Sequence, residues 1–323
     1  MEGRASRFLR GLYNAKARDH AGDESGMQVS GALREQCPPF GPHAQGQIPI
    51  GHLLPGNVGA KRPSALCSSR TSPLPGGAPT PEASGVNARA LQWIGTSPLR
   101  QRVVPFAVFL VLTSLQGTLG EGSRYWLYLA KTLLGAWMLW VVWDTVTECR
   151  WAISWEAVVV GLAVFGLWVG LDGHYPSLSD LLAKIGIGKG TDPSTLPQPW
   201  NPHAHFGSGS AVAWVFIGLR IVGSALVVPP LEETFYRSFL YRYLANPQWE
   251  TLPLNRWNPM AFFVSAGVFG LVHNEWLPGI LCGMAYQGLV LRKNRLGDAM
   301  TAHAITNALL GGWVAWKSAW QFW

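Results

Sequence analysis

Charge is scarce in this sequence. Asp, Glu, Lys and Arg make up 13% of its 323 residues, about half the share of an average soluble domain. The net charge of +7 is scattered, with no basic stripe alternating with exposed aromatics, so it is not a nucleic-acid signature. Cysteine is rare too. Cys37, Cys67, Cys149 and Cys282 form no CxxC and no paired spacing, which argues against a disulfide framework and a cysteine-based metal centre. The chain has no HExxH helix, no GxSxG elbow, no P-loop and no GxGxxG opening a helix after a strand.

What is present divides the chain in two. Residues 1–100 hold 11 Pro and 14 Gly, with 11 Lys and Arg against 6 Asp and Glu. Pro and Gly at that density without a period read as a disordered basic extension. Its start, MEGRASRFLRGLYNAKAR, lacks the apolar core of a signal peptide. Sixteen of the 17 Trp lie after residue 100.

From residue 101 to 323 apolar runs follow one another, which predicts an all-α, polytopic helical membrane bundle. Val103–Gly120 is uncharged for 18 residues, and Tyr125–Trp143 is broken only by Lys131. Both approach the roughly 20 residues that span a bilayer. Trp151–Leu171 contains Gly166-x-x-x-Gly170, a pattern that permits close helix packing. A polar loop at 172–207 precedes a span at Gly207–Leu231, which Pro229-Pro230 should end or kink. A short helix then runs to about Leu244. Pro259–His273, Trp276–Leu291 and Asp298–Trp316 complete six or seven spans plus the motif helix. Glu148, Arg150 and Asp144 read as a solvated loop. Arg220 and Lys131 should snorkel or pair. Asn274 and Glu275 should serve a tight connection.

Ionisable residues inside such runs are costly and usually face the bundle interior. Glu232-Glu233-x-x-x-Arg237 is the most concentrated example. Residues four apart share a helix face, so Glu233 and Arg237 should form a structural ion pair. Glu232 points about 100° away, free to act as a general base for water. Phe269-x-x-x-His273 places a packing aromatic one turn before an imidazole that could co-orient water or bind a metal. His303-x-x-x-Asn307 places two side-chain donors on one face, suited to a developing oxyanion. One base, one co-activator and two donors make a hydrolytic site that needs no covalent nucleophile.

EETFYR at 232–237, FGLVH at 269–273 and HAITN at 303–307 together resemble the motifs of the CPBP family. That family includes the type II CAAX prenyl endopeptidases and the Abi-like bacteriocin-processing membrane proteins. The resemblance covers about residues 205–318. HNEWLPGILCGMAYQ and WEAVVVGLAVFGLWVGLD look like the CAAX protease-related proteins found beside bacterial exosortase systems. The resemblance implies an intramembrane endopeptidase in a bacterial cytoplasmic membrane. Its substrate would be a membrane-associated peptide or protein, C-terminally processed or sorted. Glu232 and His273 would activate water, and His303 and Asn307 would form the oxyanion hole. Metal use stays open: Glu232, His273 and His303 would ligate a divalent ion such as zinc, or a glutamate-dependent mechanism would need no metal. The rivals are a non-catalytic scaffold or immunity protein of the same fold, and a proton-coupled transporter. No inverted repeat or paired broken helices support the latter.

Overall fold

The computed structural model describes residues 92–188, 190 and 198–323. Of the extension read as disordered over residues 1–100, residues 1–91, with Cys37 and Cys67, lie outside the described residues, whereas residues 92–95 are helical and Pro98 already opens the first long helix, so the disordered reading fails at its C-terminal end. The described residues are helical, with no strand among them.

Helix α1 spans Pro98–Ser114, α2 Ser123–Val142 and α3 Trp155–Gly170. Two short helices, α4 Leu178–Lys184 and α5 Pro202–Phe206, lie in the segment expected to be a plain loop. Then come α6 Ala211–Leu226, α7 Val228–Glu233 and α8 Tyr241–Ala245, with a π-helical turn at Thr234–Leu240 between the last two. Helices α9 Pro259–Leu271, α10 Trp276–Lys293 and α11 Gly297–Lys317 complete the order. Starts and stops follow local chemistry. Ser154 accepts from the Ala157 amide and Asn258 from the Ala261 amide, each at a helix N-cap. Asn294 ends α10 in the left-handed conformation, φ 53°.

Helix α2 and the continuous helical run Ala211–Ala245 are long and apolar enough to cross a membrane, while α3 and α9 are shorter apolar helices. In α2 the usual arrangement of a soluble helix is inverted. Trp140 is 74% exposed and Leu133 and Trp137 also face outward, whereas Lys131 is only 5% exposed. An apolar outside around polar interior groups is the pattern expected in lipid. Lys131 is therefore paired rather than snorkelled. Its ammonium donates to Thr113 Oγ1 and Gln116 Oε1, each at 2.9 Å, and lies over the Phe109 and Tyr128 rings. Arg220 sits against Trp200, Tyr128 and Trp323.

Small residues set the closest helix crossings. A Cβ on Gly161 of α3 would stand 2.7 Å from the Ala302 carbonyl of α11, and one on Gly279 would stand 2.8 Å from Gly270 Cα across the α9–α10 hairpin. Gly166 and Gly170 have nothing within 4 Å. The GxxxG motif therefore makes no close packing here; Gly161, outside the motif, does. The Pro229-Pro230 pair does not end the helical run. Both prolines sit in the first turn of α7, where a missing N–H is tolerated. The helix pauses at Val227 and resumes.

One expectation fails in the Trp143–Ser154 connection. Asp144 is solvated, but Glu148 is not; its side chain is 14% exposed. It folds inward onto Arg102 of α1 and Arg242 of α8, at 2.5 and 3.2 Å. Two guanidiniums at the same membrane edge supply what solvent would otherwise give the carboxylate.

Candidate active site

The first and third motifs meet directly. Glu233 is fully buried at the end of α7. Its Oε2 lies 3.1 Å from Arg237 Nε, so the expected i,i+4 ion pair forms. The Arg237 Nε–H does not point at that oxygen, so the contact is an ion pair without a well-formed hydrogen bond. Arg237 also lies over the Phe269 ring at 4.6 Å and donates to the Gly283 carbonyl at 3.4 Å. The other carboxylate oxygen, Oε1, is 3.0 Å from His303 Nδ1 on α11. Sequence reasoning missed that contact, because Glu233 seemed fully committed to Arg237.

The Glu233 contact decides what His303 can do. With Nδ1–H donating to the carboxylate, Nε2 is an acceptor in the neutral ring and a donor only in the imidazolium. Glu233 thus fixes the ring's orientation. Tyr286 stacks on the ring, with centroids 5.1 Å apart and planes at 28°. Its hydroxyl donates to Thr306 Oγ1 at 2.8 Å. Tyr286 was also missed. Its signal was available: Tyr286-Gln287 is a polar pair within the apolar run from Trp276 to Leu291.

The second motif approaches through its aromatic. Phe269 is buried, with His273 at 4.7 Å and His303 at 6.2 Å between ring centroids. It is packing between the two imidazoles, as expected. His273 Nδ1–H donates to the Phe269 carbonyl at 2.6 Å, so in the neutral ring Nε2 carries the lone pair. The edge of Trp168 covers this ring from α3. On the far side of the α9–α10 connection, Tyr175 donates to Glu275, and the Trp276 indole donates to the Pro176 carbonyl at 3.0 Å. Glu275 therefore has a connecting role, as expected.

Asn307 lies one turn beyond His303. Its amide donates to the Ser224 carbonyl of α6 at 2.8 Å, which occupies one of two amide hydrogens. Glu232 stays outside this network. It is half-buried, and its Oε2 is enclosed without a hydrogen-bond partner. Glu233, Arg237 and His303 are thus joined directly, and His273 joins them through Phe269.

The donor set bears on metal binding. Among the described residues no three His, Cys, Asp or Glu side chains gather as a group able to hold an ion. The Nδ1 atoms of both histidines are occupied, which leaves Nε2 of each as the nitrogen that could face a water or an ion.

Residues 205–309 match the family described as Rce1-like, type II CAAX prenyl endopeptidase. That is about a third of the chain, and it contains all three motifs. No curated protein and no solved structure matches the chain.

Proposed function

We propose that this integral membrane protein, whose residues 205–309 match the Rce1-like type II CAAX prenyl endopeptidase family, hydrolyses a peptide bond of a membrane-associated substrate. Glu232 is the general base. Its unpartnered oxygen takes a proton from water as the oxygen attacks the scissile carbonyl, and returns it to the departing amine. His273 orients the water through Nε2. The oxyanion receives hydrogen bonds from the free amide hydrogen of Asn307 and from Nε2–H of His303 in its protonated form. Glu233 and Arg237 hold His303 in place and do not touch the substrate. The reaction is of the glutamate type, and no step is routed through a metal. The setting we propose is a bacterial cytoplasmic membrane with an exosortase-type sorting system, and the substrate a protein processed near its C-terminus.

The observation that carries this reading is the 3.0 Å contact between Glu233 and His303. It holds a buried imidazole by one nitrogen and leaves Nε2, a donor when the ring is protonated, to face the oxyanion. The test compares protein termini in the native host expressing wild type or Glu232→Gln at equal levels. A terminus seen only with wild type supports cleavage. Identical termini, with both proteins folded, reject it.

A second reading has its own observation. His273, His303 and Asn307 each already bond to another protein atom. A non-catalytic scaffold or immunity protein of the same fold would use those bonds for helix packing alone. In that case Glu232→Gln is silent in every phenotype that deletion produces.

A further inference from the structure

The π-helical turn at Thr234–Leu240 carries one residue more than an α-helix would. The amide of Tyr241 bonds to the carbonyl of Tyr236, five residues back. Such turns are rare and persist where the surroundings over-determine them. The Glu233–Arg237–His303 cluster holds the end nearest the proposed site.

A second cluster holds the other end. Ser238, inside the turn and fully buried, donates its hydroxyl to Glu148 Oε1 at 2.5 Å. Arg102 Nε lies 2.9 Å from the same hydroxyl and 2.9 Å from the same carboxylate oxygen. Arg242 donates through Nε to the Ser238 carbonyl at 2.5 Å and through a terminal nitrogen to Ser238 Oγ at 2.8 Å. Both guanidiniums lie 5.1 Å from the Trp249 ring, and Arg242 also donates to the Leu252 carbonyl at 3.0 Å. Two segments distant in sequence, carrying Arg102 and Glu148, and Arg242 one turn on therefore converge on one serine of the turn. None of these groups touches the residues assigned to water activation or to the oxyanion.

We propose that Glu148, with Arg102 and Arg242, is a remote positioning cluster that locks the π-turn through Ser238 and so sets the direction of Glu232 and Glu233. The reason is geometric. Releasing the clamp lets the turn relax to α-helical pitch by giving up its extra residue. Losing one residue rotates the two helix segments relative to each other by about 100°. Because α8 is anchored by Tyr241 and Trp249, part of that rotation falls on α7, which bears both glutamates. The inference rests on the hydrolase reading for its consequence in catalysis, but not for its structural content.

The test uses the full chain in nanodiscs with histidine labelled by nitrogen-15. The His303 ring signals are assigned by their loss in His303→Gln. Wild type, Glu148→Gln, Glu148→Asp and Ser238→Ala are compared. The expected result is a changed His303 Nδ1 resonance in Glu148→Gln and Ser238→Ala, with the wild-type position recovered in Glu148→Asp. Any cleavage supported by wild type should fall by up to about 10²-fold in kcat with KM unchanged. An unchanged His303 resonance in both variants, whatever their thermal stability, overturns the proposal. Ser238→Ala removes one hydroxyl and keeps the test decisive if Glu148→Gln does not fold. Because the resonance is read without substrate, absence of cleavage in wild type would reject the hydrolase reading and leave the positioning result standing.

Discussion

The helical run from Val228 to Ala245 takes part in two ionic clusters of similar but not identical composition. In each, one glutamate lies between two basic residues: Glu233 between Arg237 and His303, and Glu148 between Arg102 and Arg242. In each, a guanidinium lies over an aromatic ring, Phe269 in one and Trp249 in the other. They differ in solvent contact and in what is left over. The Glu233 cluster is sealed inside the bundle, and His303 retains a ring nitrogen with no partner. The Glu148 cluster borders a cavity of about 400 Å³ at the end of the bundle, lined also by Gln101, Thr147 and Asn294. Its guanidinium nitrogens are directed at carbonyls, a hydroxyl and a carboxylate. Similar ion-pair chemistry serves reactivity in one place and anchoring in the other, and the number of uncommitted nitrogens separates them.

Four measurements break or sharpen that contrast. The largest effect is expected from Arg237→Ala. It leaves a buried Glu233 with only His303 beside it and should cost about 3–5 kcal/mol. Thermal unfolding in detergent checks this, and an unchanged midpoint would remove Arg237 from the structural role. Next is Asn307→Ala, expected to lower the cleavage rate by about 10²–10³-fold, the usual cost of one oxyanion donor. A variant that cleaves at the wild-type rate would return Asn307 to a packing role at Ser224. Third, Gly161→Ala should destabilise by about 1–3 kcal/mol through overpacking against Ala302 and Ile305. Gly170→Ala, facing open space, should fall within about 0.5 kcal/mol of wild type. Equal midpoints for the two glycine variants would contradict the α3–α11 contact.

The smallest effect is pH-dependent and belongs to the outer cluster. Burial pushes the Glu148 carboxyl up, but Arg102 beside it and the Ser238 hydroxyl outweigh burial and hold it below the ordinary carboxylate range. A carboxylate depressed in the folded state contributes stability above its unfolded value, and that contribution is lost as pH falls through the folded value. Glu148→Gln should therefore flatten the acid side of the stability profile while leaving the neutral-to-alkaline slope alone. An unaltered acid limb would mean that Glu148 is not held in its charged form by this cluster.

The ease of reading these features from sequence followed their range. The Glu233–Arg237 pair was legible because both partners share one helix and a four-residue period. The helix bodies were legible too, since apolar runs in lipid leave few alternatives. The contact of Glu233 with His303 joins residues 70 apart and has no local signature. Glu148 was misread because a polar cluster between two spans resembles a solvated loop, and nothing nearby in sequence announces Arg242. Gly166-x-x-x-Gly170 permits close packing without naming a partner, and in this chain Gly161 makes the contact instead. The π-turn had no sequence signal at all.

The joint at Val227 has a mechanical consequence. Pro229 and Pro230 lack N–H groups, so the carbonyls four residues earlier, on Ala225 and Leu226, have no α-helical donor. The run from Ala211 to Ala245 is thus two rods sharing a weak coupling, with two rungs of its ladder absent at one level. A helix longer than the local bilayer responds by tilting or kinking. The joint at Val227 is the level at which such strain would be absorbed, with α6 tilting while α7 stays pinned through Glu233 and His303.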